Sequence, residues 1–145
     1  MRLEECYERR LLRRDKSDHK KAEKALEMAK ERITRARRLA ENGFNTEALV
    51  AAYTSMFYSS KALLYMDGVI EKSHTCVIEY VKEQYVKKGL LSQNHMHWMN
   101  TYRLERHEVM YGLSVFDVTE GEIGTALTKA HEYLEAVKKI VLQNK

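Results

Sequence analysis

No proline occurs among the 145 residues of this chain, and that absence constrains its fold more than any single motif. Proline ends helices because it lacks a backbone N–H and its ring clashes with the preceding turn. With proline absent, the six glycines are the main interruptions. Wherever apolar residues recur at intervals of three and four between them, helix is the expected state.

Five helical segments follow from this punctuation. The first carries Ala22, Ala25, Ala29, Ile33, Ala36 and Ala40, with Ser17 or Asp18 as N-cap and Asn42-Gly43 as stop. Asn45 or Thr46 caps the second, the most apolar, which runs through Leu49, Met56 and Leu64 to Asp67-Gly68 and predicts the centre of the core. Ser73 caps a shorter third helix that closes at Lys87-Lys88-Gly89. A fourth spans Ser92 to about Tyr111, and the last opens on the capping box Thr119-Glu-Gly-Glu122. Short links and the lack of repeats predict an all-α fold: a single domain over 1–145, built as an up-and-down antiparallel bundle of four to five helices, with residues 1–16 as a basic N-terminal extension.

Charge is unevenly placed. Residues 1–43 hold 14 Lys and Arg against 9 Asp and Glu, and the remainder holds 11 against 12. A face built from Arg9, Arg10, Arg13, Arg14, Arg32, Arg35, Arg37 and Arg38 could meet phosphates, although a solvated helix face with interspersed acids is the plainer expectation. Cys6 and Cys76 show neither metal-ligand spacing nor a disulfide framework, which suggests a reducing, cytoplasmic setting. No apolar run has the length of a signal peptide core or a membrane span, so no membrane association is expected.

Candidate chemistry centres on the fourth helix. Trp98, Met99, Tyr102, Val109 and Leu113 fall on one side of it, and Arg106 falls inside that stripe. An arginine aimed at an apolar face calls for a carboxylate, a phosphate or a wet cleft. Arg103, His107 and Tyr111, at intervals of four, line the neighbouring stripe. An arginine to hold a phosphate beside a histidine to move a proton would suit phosphodiester cleavage, with Arg106 and His107 as the catalytic pair. His95 and His97 are two apart and point to different faces, so no metal site is expected. His74 follows the third helix cap, where it serves the turn or faces a cleft. Tyr53, Phe57 and Tyr58 read as core or dimer contacts rather than a platform for bases. Gly-rich phosphate loops, nucleophile elbows and zincin motifs are absent, and no cofactor is expected.

Four stretches carry a resemblance. Ala51-Ala-Tyr-Thr-Ser-Met-Phe-Tyr-Ser-Ser-Lys-Ala-Leu-Leu64, Lys72-Ser-His-Thr-Cys-Val77, Tyr85-Val-Lys-Lys-Gly-Leu90 and Arg106-His-Glu-Val-Met-Tyr-Gly112 resemble, in order and interval, segments of small archaeal and bacterial HEPN proteins. The resemblance covers about residues 20–142. It implies a helical bundle that forms a homodimer, in a family associated with RNA cleavage, with nucleotide binding, and with toxin–antitoxin pairs whose partner is a minimal nucleotidyltransferase.

In the family's ribonucleases an arginine and a polar residue are followed at a distance by a histidine, and the motifs meet across the dimer. Arg106 matches the arginine and His107 the polar position, but Tyr111 stands where the histidine would be, and no histidine returns until His131. Tyrosine titrates near 10 and histidine near 6.5, so tyrosine is the poorer proton shuttle at neutral pH. The expectation is therefore RNA or nucleotide binding by Arg103, Arg106, Tyr111, Tyr53 and His74 in a cleft at a homodimer interface. The alternatives are a metal-independent endoribonuclease toxin and an interaction module for a nucleotidyltransferase.

Overall fold

The computed structural model describes residues 1–144. Six α-helices and one short β-ribbon make up its regular structure: α1 (Leu3–Glu8), β1 (Leu12–Arg14), α2 (His19–Glu41), α3 (Asn45–Asp67), β2 (Val69–Glu71), α4 (His74–Val81), α5 (Gln93–Tyr111) and α6 (Glu120–Gln143). A π-helical turn, Lys82–Val86, extends α4. The chain is an all-α helical bundle.

α3 lies at its centre. Twelve of its side chains are buried, on every side of the helix, because α2, α6, α5 and α4 all pack around it. The small residues of α2, with Ala22, Ala25, Ala29 and Ala36 buried, let α3 approach closely, and the Ser55 hydroxyl donates across that seam to the Ala29 carbonyl at 2.7 Å. Between α3 and α6, the buried hydroxyls of Ser60 and Tyr133 satisfy each other at 2.7 Å. One continuous apolar cluster joins all six helices and the ribbon.

Helix ends follow the expected chemistry at four of five places. Asp18, Ser73, Ser92 and Thr119 each accept a backbone N–H in the first turn of the helix that follows. The start of α3 differs. Phe44 takes the cap position without a side-chain bond, because Asn45 and Thr46 instead donate to the carbonyls of Val118 and Phe116 and hold the segment that leads into α6.

The N-terminal extension is structured. α1 and β1 fold back along the end of the bundle, and β1 pairs antiparallel with β2 in the register Leu12 to Glu71, Arg13 to Ile70 and Arg14 to Val69. Cys6 and Cys76 are joined in a disulfide with Cα atoms 5.8 Å apart, which corrects the reading of two unrelated thiols. Their separation of 70 positions hid the pairing: only the return of α1 onto α4 brings them together. The cysteines thus give no argument for a reducing compartment.

Gly68 permits the same return. Its φ is +74°, and a Cβ there would sit 2.5 Å from the Asp15 carbonyl, whose own N–H donates to the Gly68 carbonyl at 2.8 Å. Among the described residues no helix is long and apolar enough to cross a membrane.

Candidate functional site

Three helices deliver side chains to one place. On α3, Tyr53, Phe57 and Lys61 recur at intervals of four and so share a stripe. His74 is the first residue of α4, directly after the Ser73 N-cap. Arg103 and Arg106, three apart on α5, face the same direction.

The rings form a stack. His74 lies 4.1 Å from Phe57, centroid to centroid, with the planes 13° apart, and 5.8 Å from Tyr53 at 19°. The Tyr53 hydroxyl and His74 Nδ1 are hydrogen-bonded at 2.6 Å. The guanidinium carbon of Arg106 sits 6.0 Å above the Tyr53 ring. Arg103 donates to Asn100 Oδ1 at 3.0 and 3.2 Å. Lys61 pairs with Glu71 at 3.4 Å and lies 5.8 Å from the Phe57 centroid.

Charge at this site is unbalanced. Among the described residues neither Arg103 nor Arg106 has a carboxylate partner, and Glu71 is already taken by Lys61. The imbalance acts on the neighbouring titratable groups. Burial, then Arg106, Arg103 and Lys61, push the His74 pKa below its ordinary value, so the imidazole is neutral at physiological pH. Burial pushes the Tyr53 hydroxyl well above the usual tyrosine range, against the opposing pull of Arg106 and Arg103. A phenol that keeps its proton can donate to Nδ1, which leaves the ring proton on Nε2. The assembly offers two guanidinium groups, a polarised neutral imidazole and aromatic faces, the set that suits a phosphate with an attached planar group.

The structure thus brings together Arg103, Arg106, Tyr53 and His74. It does not bring His107 and Tyr111 into the stack: both are exposed, and their rings meet each other at 5.0 Å. Nor is the apolar stripe of α5 continuous. Met99 and Tyr102 are buried, but the helix leaves the core after Tyr102, and Leu113 is beyond its end and fully exposed. Arg106 is therefore half-buried at the rim of the core rather than inside it. His95 packs on Tyr133 and His97 on Trp98. Of the site residues, Lys61 has no role in the sequence pattern as read and Phe57 reads there as a core or dimer contact; the signal for both is their four-residue spacing from Tyr53.

The family model described as HEPN domain matches residues 22–140. The chain belongs to the HEPN family. Every residue of the stack lies inside the HEPN match, whereas α1, β1 and Cys6 lie outside it.

Among curated proteins this HEPN chain is similar to UPF0332 protein PH1297 of Pyrococcus horikoshii, at 27% identity over 63% of this chain and 65% of that protein. The match therefore spans just under two thirds of that relative's length. It is also similar to two proteins of Methanocaldococcus jannaschii named "Putative toxin", MJ0142 and MJ0605. The first is 26% identical over 83% of this chain and 81% of its own length, and the second is 24% identical over 79% and 84%.

Proposed function

We propose that this HEPN protein binds RNA or a nucleotide through the phosphate, at Arg103 and Arg106 beside the Tyr53–His74–Phe57 stack, as the toxin-type member of a toxin–antitoxin pair. One observation carries the reading: two half-buried arginines without carboxylate partners converge on an aromatic stack with a neutral histidine. Partly desolvated guanidinium groups are costly without an anion, and a phosphate offers bidentate acceptors. The similarity to proteins named as toxins supports the toxin-type role.

A homodimer fits the same reading. Leu104, Met110, Tyr111, Leu113 and Val115 expose apolar side chains on the outer half of α5 and the loop after it, and Met110, four residues on, shares the side of Arg106. A second copy seated there would close the open side of the cleft.

Binding is tested by fluorescence anisotropy with a labelled single-stranded RNA. Affinity is expected to fall as salt rises, because neutralised phosphates release counterions. Arg106→Ala is expected to weaken binding about tenfold or more, the scale of one lost charge-assisted contact. Affinity that ignores salt, or an Arg106→Ala protein that binds like the wild type, would refute the proposal.

A metal-independent ribonuclease is the second reading, and the Tyr53–His74 bond favours it with a change of residue. The neutral imidazole beside the arginines is His74, so His74 rather than His107 is the proton carrier in such a mechanism. RNA cleavage in the presence of a chelator that His74→Ala abolishes and His107→Ala leaves intact would establish it.

A further inference from the structure

The cations of the N-terminal extension take no part in the site described above. Residues 9–16 hold Arg9, Arg10, Arg13, Arg14 and Lys16 against a single acid, Asp15. All five cations are exposed, and among the described residues none has a carboxylate ion pair. Arg14 alone has a ring partner, Tyr7, at 5.2 Å. The acids of α1, Glu4, Glu5 and Glu8, lie on the helix, so the positive charge concentrates in the turn and strand that follow it.

These cations are held on a rigid strap. The disulfide fixes α1 to α4, β1 pairs with β2, and Lys72 N–H, Asp15 N–H and Asp18 N–H tie the strap's flanks to Leu11, Gly68 and Tyr65 at 2.8–2.9 Å. Arg10 even adopts a left-handed φ of 58° to make the turn into β1, a conformation disfavoured for a non-glycine residue. The eight arginines of the sequence pattern are therefore not one face. Those between Arg32 and Arg38 stand at least about 20 Å further along α2, where Glu31 pairs with Arg32 and Arg35.

The strap also lies beside the phosphate site. Leu11 accepts the N–H of Lys72, and Lys72 is two residues, at most about 7 Å of chain, from His74. Glu71, opposite Leu12 in the ribbon, is the partner of Lys61 in the site. The ribbon thus runs its backbone alongside the segment that carries Glu71 and His74, on the path of a strand that leaves Arg103 and Arg106 past His74.

From this juxtaposition we infer that Arg9, Arg10 and Arg13 form a second phosphate-contact surface, which makes an RNA strand of several nucleotides, and not a free nucleotide, the ligand of the proposed site. The inference rests on the binding reading above and names its ligand class. Like charges crowded on a fixed strap repel one another, and a nucleic-acid backbone relieves that repulsion without any ordering of the strap. The strap lies outside the HEPN match.

The test compares a labelled single-stranded RNA 12-mer with adenosine monophosphate over a salt series. Each single-strand phosphate contact contributes about 0.7 to the slope of log affinity against log salt. The triple variant Arg9→Gln, Arg10→Gln, Arg13→Gln, all at exposed positions, is expected to lower the 12-mer slope by about 2 and its affinity about tenfold or more at low salt. Its binding of the monophosphate should match the wild type. Arg106→Gln should weaken both ligands. A triple variant with the wild-type 12-mer slope, or a wild-type protein that binds both ligands equally well, overturns the strap and leaves the site standing. Failure of the wild type to bind the 12-mer at low salt overturns strap and site together.

Discussion

The Tyr53 hydroxyl bonds Nδ1 of His74 at 2.6 Å, and this contact joins the centre of the core to the rim of the site, since Tyr53 is 1% exposed and His74 half-buried. Tyr53→Phe keeps the ring and removes the bond. The half-exposed imidazole can recover water, so the expected loss of stability is small, about 1 kcal/mol, or a drop of about 2–4 °C in Tm. RNA affinity should fall about fivefold as His74 loses its fixed orientation. Calorimetry and anisotropy check the two effects, and a variant that unfolds outright would show that the hydroxyl serves the core rather than the site.

Protonation of His74 gives a pH signature. Burial and the neighbouring cations lower its pKa in the folded chain, whereas the unfolded value is about 6.5. A depressed pKa contributes stability that is present above about 6.5 and lost as pH falls through the lower folded value. A bound phosphate screens the arginines and raises the His74 pKa again. Binding then takes up a proton, and affinity must rise as pH falls below about 6.5. His74→Gln should flatten that rise. An affinity that drops on mild acidification would contradict the placement of phosphate beside His74.

How much of this could be read from the sequence depends on the range of the interaction concerned. The helices of the bundle were legible because capping and apolar period are local, and Asp18, Ser73, Ser92 and Thr119 cap as expected. Phe44 displaced the expected cap of α3 because Asn45 and Thr46 bond residues about 70 positions away. The same limit hid the Cys6–Cys76 bridge and the β1–β2 ribbon. At the site, Arg103 and Arg106 were marked by charge on a helix that reads as partly apolar, and Tyr53 and His74 by family resemblance. That α3 and α4 stack their rings in front of α5 is a tertiary fact without a local signal. His107 was misleading because adjacent residues on a helix diverge by about 100°.

The disulfide closes a long loop, so its loss should destabilise the fold by about 2–4 kcal/mol. Much of that effect should be local, because reduction frees α1 and β1 from α4 while α2, α3 and α6 keep their core. Cys6→Ala, or treatment with a dithiol, is expected to speed amide exchange in residues 3–14 and to lower the thermal midpoint. Unchanged exchange there after reduction would mean that the ribbon and Gly68 hold the strap without the bridge.

The proposed homodimer places its weight on the end of α5. Leu113 is 106% exposed and Val115 89%, so replacing both by glutamate removes no contact within the chain. If a second copy covers them, the double variant buries unpaired charge at the interface, and association should weaken about a hundredfold or more. Light scattering reads this directly, because the chain mass is 17.1 kDa and the wild type should scatter at twice that mass and the variant as the monomer. Because Arg106 lies on the same helix near this surface, RNA affinity should fall with the dimer. A wild type that stays monomeric at high concentration would remove the shared cleft and leave the site to act within one chain.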